Sequence, residues 1–318
     1  MCDAHFLTSY IYYIIKLFII KKNTSKQFQN KFIIRGVQKN ECNMYNNIYL
    51  FYKEDMVLLW DPNEIEVKKD YHWKIGSLDL WVKKADDEWF VAYTQVIEDL
   101  DNKKSIIAKP EKKPEGLGWS RFVIDDTSRV IQLVPVLQDR AIVVGSEPPV
   151  KILPGNTALF FVSIPVWVRV YVGEKKKVKL TEIPTIVLSN TWFGDPMMGE
   201  LGYSLKTHAR RSMEELSISH QRVFCPVWVK NDTSSQLDFQ RLSVHVEHLR
   251  VYRGTKRLWT NEVQIDFFGE DQPSQIDFSD KIPNFEEGCV LLSEERTPVD
   301  KSLLKKSVSI LKYFTTFE

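Results

Sequence analysis

The sequence predicts a mostly β protein, and three observations carry that expectation. Aromatic and β-branched residues are concentrated from Met56 onward, in a chain holding 9 Trp, 18 Phe and 12 Tyr, and such side chains suit a pleated, half-buried surface. Apolar residues recur at period two, as in Leu78, Leu80 and Val82 against Asp79, Trp81 and Lys83. Turn signals such as Asp61-Pro62-Asn63, Ala85-Asp86-Asp87 and Arg253-Gly254-Thr255 punctuate these runs. The expected architecture is an N-terminal β domain over 56–146, a Greek-key-type β-sandwich over 147–292 and a short amphipathic helix over 293–318.

Residues 1–55 differ in composition, being rich in Ile, Tyr, Lys and Asn without Trp or Pro. The run Phe6 to Ile20 is short for a bilayer span of about 20 residues. Its positive charges, Lys21 and Lys22, follow it rather than precede it, which is not the signal-peptide order. The favoured reading is an over-extended start, with the protein beginning at Met44 or Met56 in the cytoplasm. The alternative is an anchor through 6–20, the main body staying cytoplasmic under the positive-inside bias.

From Met56 the elements follow closely. Residues 78–94 read as a hairpin turned at Ala85-Asp86-Asp87. The stretch 103–118, with its Lys, Pro and Gly, reads as a charged loop, and 122–124, 130–137 and 141–144 as strands. Gly145 to Pro149 is the expected domain boundary. Residues 149–173 place a Pro-Gly turn between apolar strands, as a sandwich requires. The segment IPVWVRV at 164–170 is echoed by CPVWVKN at 225–231. The apolar phase of Leu242, Val244 and Val246 slips at Leu249 and Val251, which predicts a β-bulge near Glu247 and His248. Thr297-Pro298 reads as a helix N-cap, followed by Leu304, Val308, Leu311 and Phe314 on one helical face.

Composition excludes several chemistries. The 43 Lys+Arg and 42 Asp+Glu balance, so no global field favours nucleic acid. No GxGxxG, GxxxxGK[ST], GxSxG or HExxH is present, and neither a nucleotide nor a cofactor is expected. The four cysteines are far apart without CxxC spacing, which argues for a reducing compartment.

The richest stretch is 183–212, where Trp192, Phe193, Asp195, His208, Arg210 and Arg211 cluster around Gly194, Gly199 and Gly202. The guanidinium of Arg is the natural fork for a carboxylate or phosphate. Arg222 joins the arginine set. The leading expectation is a groove or edge that binds a partner, Trp192 and Phe193 giving apolar contact and Arg210 and Arg211 fixing an acidic group. An enzymatic alternative pairs Asp195 and Glu200 as carboxylates, with His208 nearby, in a hydrolase or carbohydrate-active β-sandwich. A third reading draws a metal site from His245, Glu247 and His248, which converge only if a bulge intervenes.

The segments PPVKILPGNTALFFVSIPVWVRV and LTEIPTIVLSNTWFGDPMMGELGYSLKTHARRS resemble the prokaryotic, mainly archaeal, domain-of-unknown-function family 432, over roughly residues 56–318. The features are Pro165-Val166, Ser189 to Gly194 with Asp195, Gly199 to Tyr203, and Ala209-Arg210-Arg211. The resemblance supplies no catalytic residues. It implies a membrane-associated regulatory role, because members lie near mechanosensitive-channel genes. The expected function is therefore a non-enzymatic binding or regulatory module. Its expected partner is a protein, a membrane channel among the candidates, and no oligomeric state follows from the sequence.

Overall fold

The computed structural model describes residues 59–95 and 105–299, apart from Asp195, Met198, Glu270, Asp271 and Pro273, together with Leu311 and Lys312. The 6–20 run and the two alternative starts lie outside the described residues. Among the described residues no helix is long and apolar enough to cross a membrane. The chain is mostly β, and the strands among the described residues gather into four sheets.

The first sheet is local in sequence. Asp70–Ile75, Leu78–Ala85 and Glu88–Gln95 form an antiparallel meander, flanked by Ser105–Pro110 and Ser120–Val123. The two-residue loop Gly76-Ser77 joins Ile75 to its cross-strand partner Leu78, and Gly76 has φ +60°, a conformation that favours glycine. The 103–118 stretch is not all loop, because Ser105–Pro110 pairs with the 70–75 strand. Trp81 was expected on the polar face, yet it is buried, because its cross-strand partner His72 stacks on it at 4.5 Å and 13°. Lys84 shares the inward phase of Leu80 and Val82. Its ammonium lies buried 5.4 Å over the Trp89 ring and donates to the Asp126 carbonyl at 3.0 Å.

A second sheet orders Asn63–Glu64, Val130–Val136, Trp167–Val172 and Val178–Pro184. A third orders Asn190–Phe193, Glu200–Leu205, Ile142–Ile152, Leu237–Val244 and Leu311–Lys312. The Gly145–Pro149 stretch lies inside the Ile142–Ile152 strand rather than in a linker, since its ladder with 237–244 continues on both sides. One apolar core cluster runs through all four sheets, with Leu80, Val168, Ile142 and Val227 among its members. In the C-terminal tail, Leu311 and Lys312 pair with Leu242 and Arg241 as a strand, not as part of a helix. The remaining residues of the expected helix, from 300 on, lie outside the described residues.

The fourth sheet centres on Arg222–Asn231. It pairs antiparallel with Thr157–Pro165 on one edge and parallel with both Leu258–Thr260 and Val263–Phe267 on the other. Of the echoed segments, 225–231 lies within this strand, while 164–170 is divided between Thr157–Pro165 and Trp167–Val172. Pro226 sits in the middle of this strand, where a missing N–H is normally excluded. It is accommodated because the 258–260 ladder ends at Phe224 and the 263–267 ladder begins at Val227. On the other side, Phe161 faces Pro226 but exchanges its backbone bonds with Arg210, at 2.8 and 3.0 Å. The expected bulge at Glu247–His248 is instead a 3-10 turn, Val246–His248, that follows the end of the 237–244 strand.

The 200–205 strand lies parallel to the 142–152 strand, with Tyr203 opposite Ile142. Its approach depends on Gly202, where an added Cβ would stand 2.8 Å from the Ala141 carbonyl oxygen. Gly202→Ala is therefore expected to lower stability by about 1–3 kcal/mol, the range for overpacking, measured as a fall in the urea midpoint at constant slope. An unchanged midpoint would show that the ladder has slack there.

Candidate functional site

The stretch 190–205 forms an antiparallel hairpin whose alternation separates two faces. Among the described residues Asn190–Phe193 is the edge strand of its sheet, paired with Glu200–Leu205. The neck is tight: Gly194 has φ +102°, and a Cβ there would lie 2.9 Å from Gly199 Cα. Outward, Trp192 faces Leu201 across the ladder, and the two are 48% and 47% exposed. Met197, in the turn, is 90% exposed. The hairpin thus presents an apolar surface at a sheet edge, an arrangement that proteins normally blunt with charge.

The inner face is opposite in character. Phe193 is fully buried, so it cannot supply the surface contact expected of it; the Arg241 guanidinium lies 5.8 Å from its ring and donates to Thr191 Oγ1 at 3.3 Å. Arg241, Ser243 and His245 follow at period two, and all three reach the hairpin. Ser243 Oγ donates to Glu200 Oε1 at 2.8 Å, and His245 Nε2 lies 3.5 Å from the same oxygen. The other ring nitrogen, Nδ1, lies 3.1 Å from Glu247 Oε1. Glu200, His245 and Glu247 therefore form a carboxylate–imidazole–carboxylate chain that fastens the hairpin to the end of the 237–244 strand. Burial pushes His245 down, but the Glu247 bond and the charges of Glu200 and Glu247 outweigh it, and its pKa is raised. Burial pushes Glu247 up, and the His245 bond and charge reverse this, leaving it lowered.

The expected site residues are thus divided among different tasks. Glu200 and the His245–Glu247 pair, drawn from separate expectations, meet in one network. His248 stands beside it, with Nε2 3.9 Å from Glu247 Oε1, while its Nδ1 bonds the Thr297 carbonyl at 2.8 Å. Among the described residues no group of three His, Cys, Asp or Glu is placed to hold a metal ion. Asp195 lies outside the described residues, so the carboxylate pair has no stated separation. Arg210 is tied to Phe161 through its backbone and has Glu215 at 3.9 Å. Arg211 donates to the Leu159 carbonyl and lies 4.7 Å over Phe160. Arg222 is buried against Ser163, donating to its carbonyl at 3.0 Å, and cannot reach solvent as a surface fork. His208 is half-buried in the segment after the hairpin. The two surface arginines are therefore engaged within the chain, at the 157–165 strand rather than on the hairpin.

Sequence reading missed a second histidine network. His72 lies between Asp79 Oδ1 at 2.7 Å and Glu111 Oε2 at 3.3 Å, and Lys74 donates to Asp79 at 3.0 Å. The signal was present in the Gly76-Ser77 hairpin, which places His72 opposite Trp81 and next to Asp79 on one face.

The described residues define a β-rich protein of mixed sheets with an exposed apolar pair at one sheet edge. The profile of the family described as Protein of unknown function (DUF432) matches residues 59–312, most of the chain, and the protein belongs to that family. Comparison with curated proteins and with solved structures found no match.

The histidine network predicts a pH dependence. His245 has a raised folded pKa, so its contribution is complete below the unfolded value of about 6.5 and is lost as pH rises through the folded one. Glu247 has a lowered folded pKa, so its contribution is present above about pH 4.3 and is lost as pH falls through the folded one. The pair is strongest between those two unfolded values. His245→Gln is expected to destabilise most near pH 5.5 and progressively less toward about pH 8.5, in urea midpoints taken across that range. A penalty that does not vary with pH would show that the charge of His245 contributes nothing.

Proposed function

We propose that the chain is a non-enzymatic protein-binding module whose contact surface is the outer face of the 190–201 hairpin. The observation that carries the reading is the pair Trp192 and Leu201, half-exposed opposite each other across the edge ladder, with Met197 exposed in the turn that joins the two strands. Tryptophan combines large contact area with few rotatable bonds, which suits a central anchor in an interface. An edge strand adds unpaired backbone groups that a partner strand can use. The rigid inner face supports this role: Glu200, Ser243 and His245 hold the hairpin from behind, so the surface is pre-organised and loses little entropy on binding. The arginine pair contributes to the scaffold in this reading and not to the contact.

The partner is a protein, and a membrane channel is the candidate that the family resemblance brings forward. Residence in the cytoplasm fits the cysteines: Cys225 and Cys289 are free, and burial pushes the Cys225 thiol up to about 12, leaving it inert.

Trp192→Ser is expected to weaken capture of the partner from host membrane extracts by tenfold or more, corresponding to about 1.4 kcal/mol, without shifting the melting temperature. Arg210→Ala plus Arg211→Ala should leave capture intact. Retained capture by the Trp192 variant, or loss only in the arginine variant, would move the contact surface away from the hairpin.

A further inference from the structure

Glu200 sits at the base of the hairpin, opposite Phe193 and next to the exposed Leu201. Two side chains from the neighbouring strand and its end reach its carboxylate. Ser243 Oγ donates to Oε1 at 2.8 Å, and His245 Nε2 stands 3.5 Å from the same oxygen. On the far side of the ring, Glu247 Oε1 lies 3.1 Å from Nδ1. A ring between two carboxylates satisfies both only when both of its nitrogens carry hydrogen. A neutral imidazole has one N–H and one lone pair, and here the lone pair faces an anion.

Which carboxylate loses its donor follows from what else each one has. Glu247 Oε2 is buried with no hydrogen-bond partner among the described residues. His248 brings no relief: its Nδ1 bonds the Thr297 carbonyl, so in the neutral ring Nε2, 3.9 Å from Glu247 Oε1, carries the lone pair. The shorter Nδ1 contact therefore keeps the one hydrogen of neutral His245, and Glu200 retains Ser243 alone. Among the described residues no other cation stands within ion-pair distance of Glu200. Arg241, four residues back on the strand, donates to Thr191 Oγ1 at 3.3 Å. Arg296, whose backbone N–H donates to the Glu247 carbonyl at 3.0 Å, sends its guanidinium to Glu182 and the Leu137 carbonyl.

We propose that protonation of His245 regulates the hairpin: the doubly protonated ring fastens Glu200 and holds the Trp192–Leu201 face in order, and the neutral ring releases it. This regulation rests on that face being the contact surface. The His245 side chain is 18% exposed, so it exchanges protons with solvent while the chain stays folded. Burial pushes its pKa down, but the Glu247 bond and the two carboxylate charges raise it, which sets the release on the alkaline side of about pH 6.5. A partner that binds the ordered face meets a smaller competent fraction as pH rises, and its apparent affinity falls with that fraction.

The test is hydrogen exchange of the full chain from about pH 5.5 to about pH 8.5, which spans the histidine range. It is read as protection factors, which already correct for faster exchange of a free amide in base. Protection of the amides of 190–193 and 200–204 is expected to fall about tenfold, the weight of a hydrogen bond to a charged group. The amides of 227–229, in the fourth sheet, should keep theirs. His245→Gln removes the titrating group, so hairpin protection should be low at both ends of the range. Glu200→Gln sets an amide N–H against the lone pair of the neutral ring, so protection should persist to about pH 8.5. Hairpin protection that holds steady across the range in the native chain, or that falls equally in either variant, overturns the proposal. Exchange needs no partner, so that result overturns the regulation alone, whereas retained capture by the Trp192→Ser variant overturns the contact surface alone.

Discussion

The Ile142–Ile152 strand accepts a parallel neighbour along one edge only because position 202 has no side chain. The Ala141 carbonyl would otherwise stand 2.8 Å from a Cβ. With that approach allowed, the 200–205 strand seats beside 142–152, and Asn190–Phe193 becomes the sheet edge. Everything that distinguishes the two hairpin faces then follows from period-two alternation. Phe193 and Glu200 turn inward onto the 237–244 strand, and Trp192 and Leu201 turn outward. The polar network and the apolar surface are two results of the same register.

Charge inside this protein is used to hold neighbouring strands together. Glu182 receives Arg169 at 2.8 Å and also Arg296, whose guanidinium lies 5.3 Å over Trp167 and reaches the Leu137 carbonyl at 2.6 Å. Burial raises the Glu182 carboxyl, and its two arginines more than reverse that, leaving it lowered. His72 and His245 each lie between two carboxylates in separate sheets. Perturbed titration is a frequent mark of catalysis, but structural ion networks produce it too. Here Glu182 and Glu247 are each already matched by a partner that fixes their strands. Removing one member would leave the other buried and unmatched, which is where the energetic cost of such networks lies.

The sequence was informative about strands and weak about what joined them. Period-two alternation located the 78–94 hairpin and the 263–267 strand, because alternation is local. It did not locate 105–110, since a stretch of Lys and Pro is paired through the needs of a neighbour, the 70–75 strand. The tail showed helical spacing, yet Leu311 and Lys312 pair with Arg241 and Leu242, a case of long-range pairing overriding local pattern. At the candidate site, the residue types were legible but their grouping was not. Glu200 and His245 are far apart in sequence and meet only through the ladder between 142–152 and 237–244. The phase slip after Val246 was visible, and it marked a 3-10 turn that carries Glu247 back to His245.

Pro226 has an effect that reaches beyond its own strand. Since the residue opposite it has no use for a bond across that ladder, Phe161 turns both backbone groups toward Arg210 and captures a loop as if it were a strand one residue long. The Arg210 amide is accordingly locked although its side chain is exposed. In hydrogen-exchange terms it should behave as part of the sheet: its proton is released only when the 157–165 strand opens. A single amide on the surface thus reports on the opening of a buried ladder.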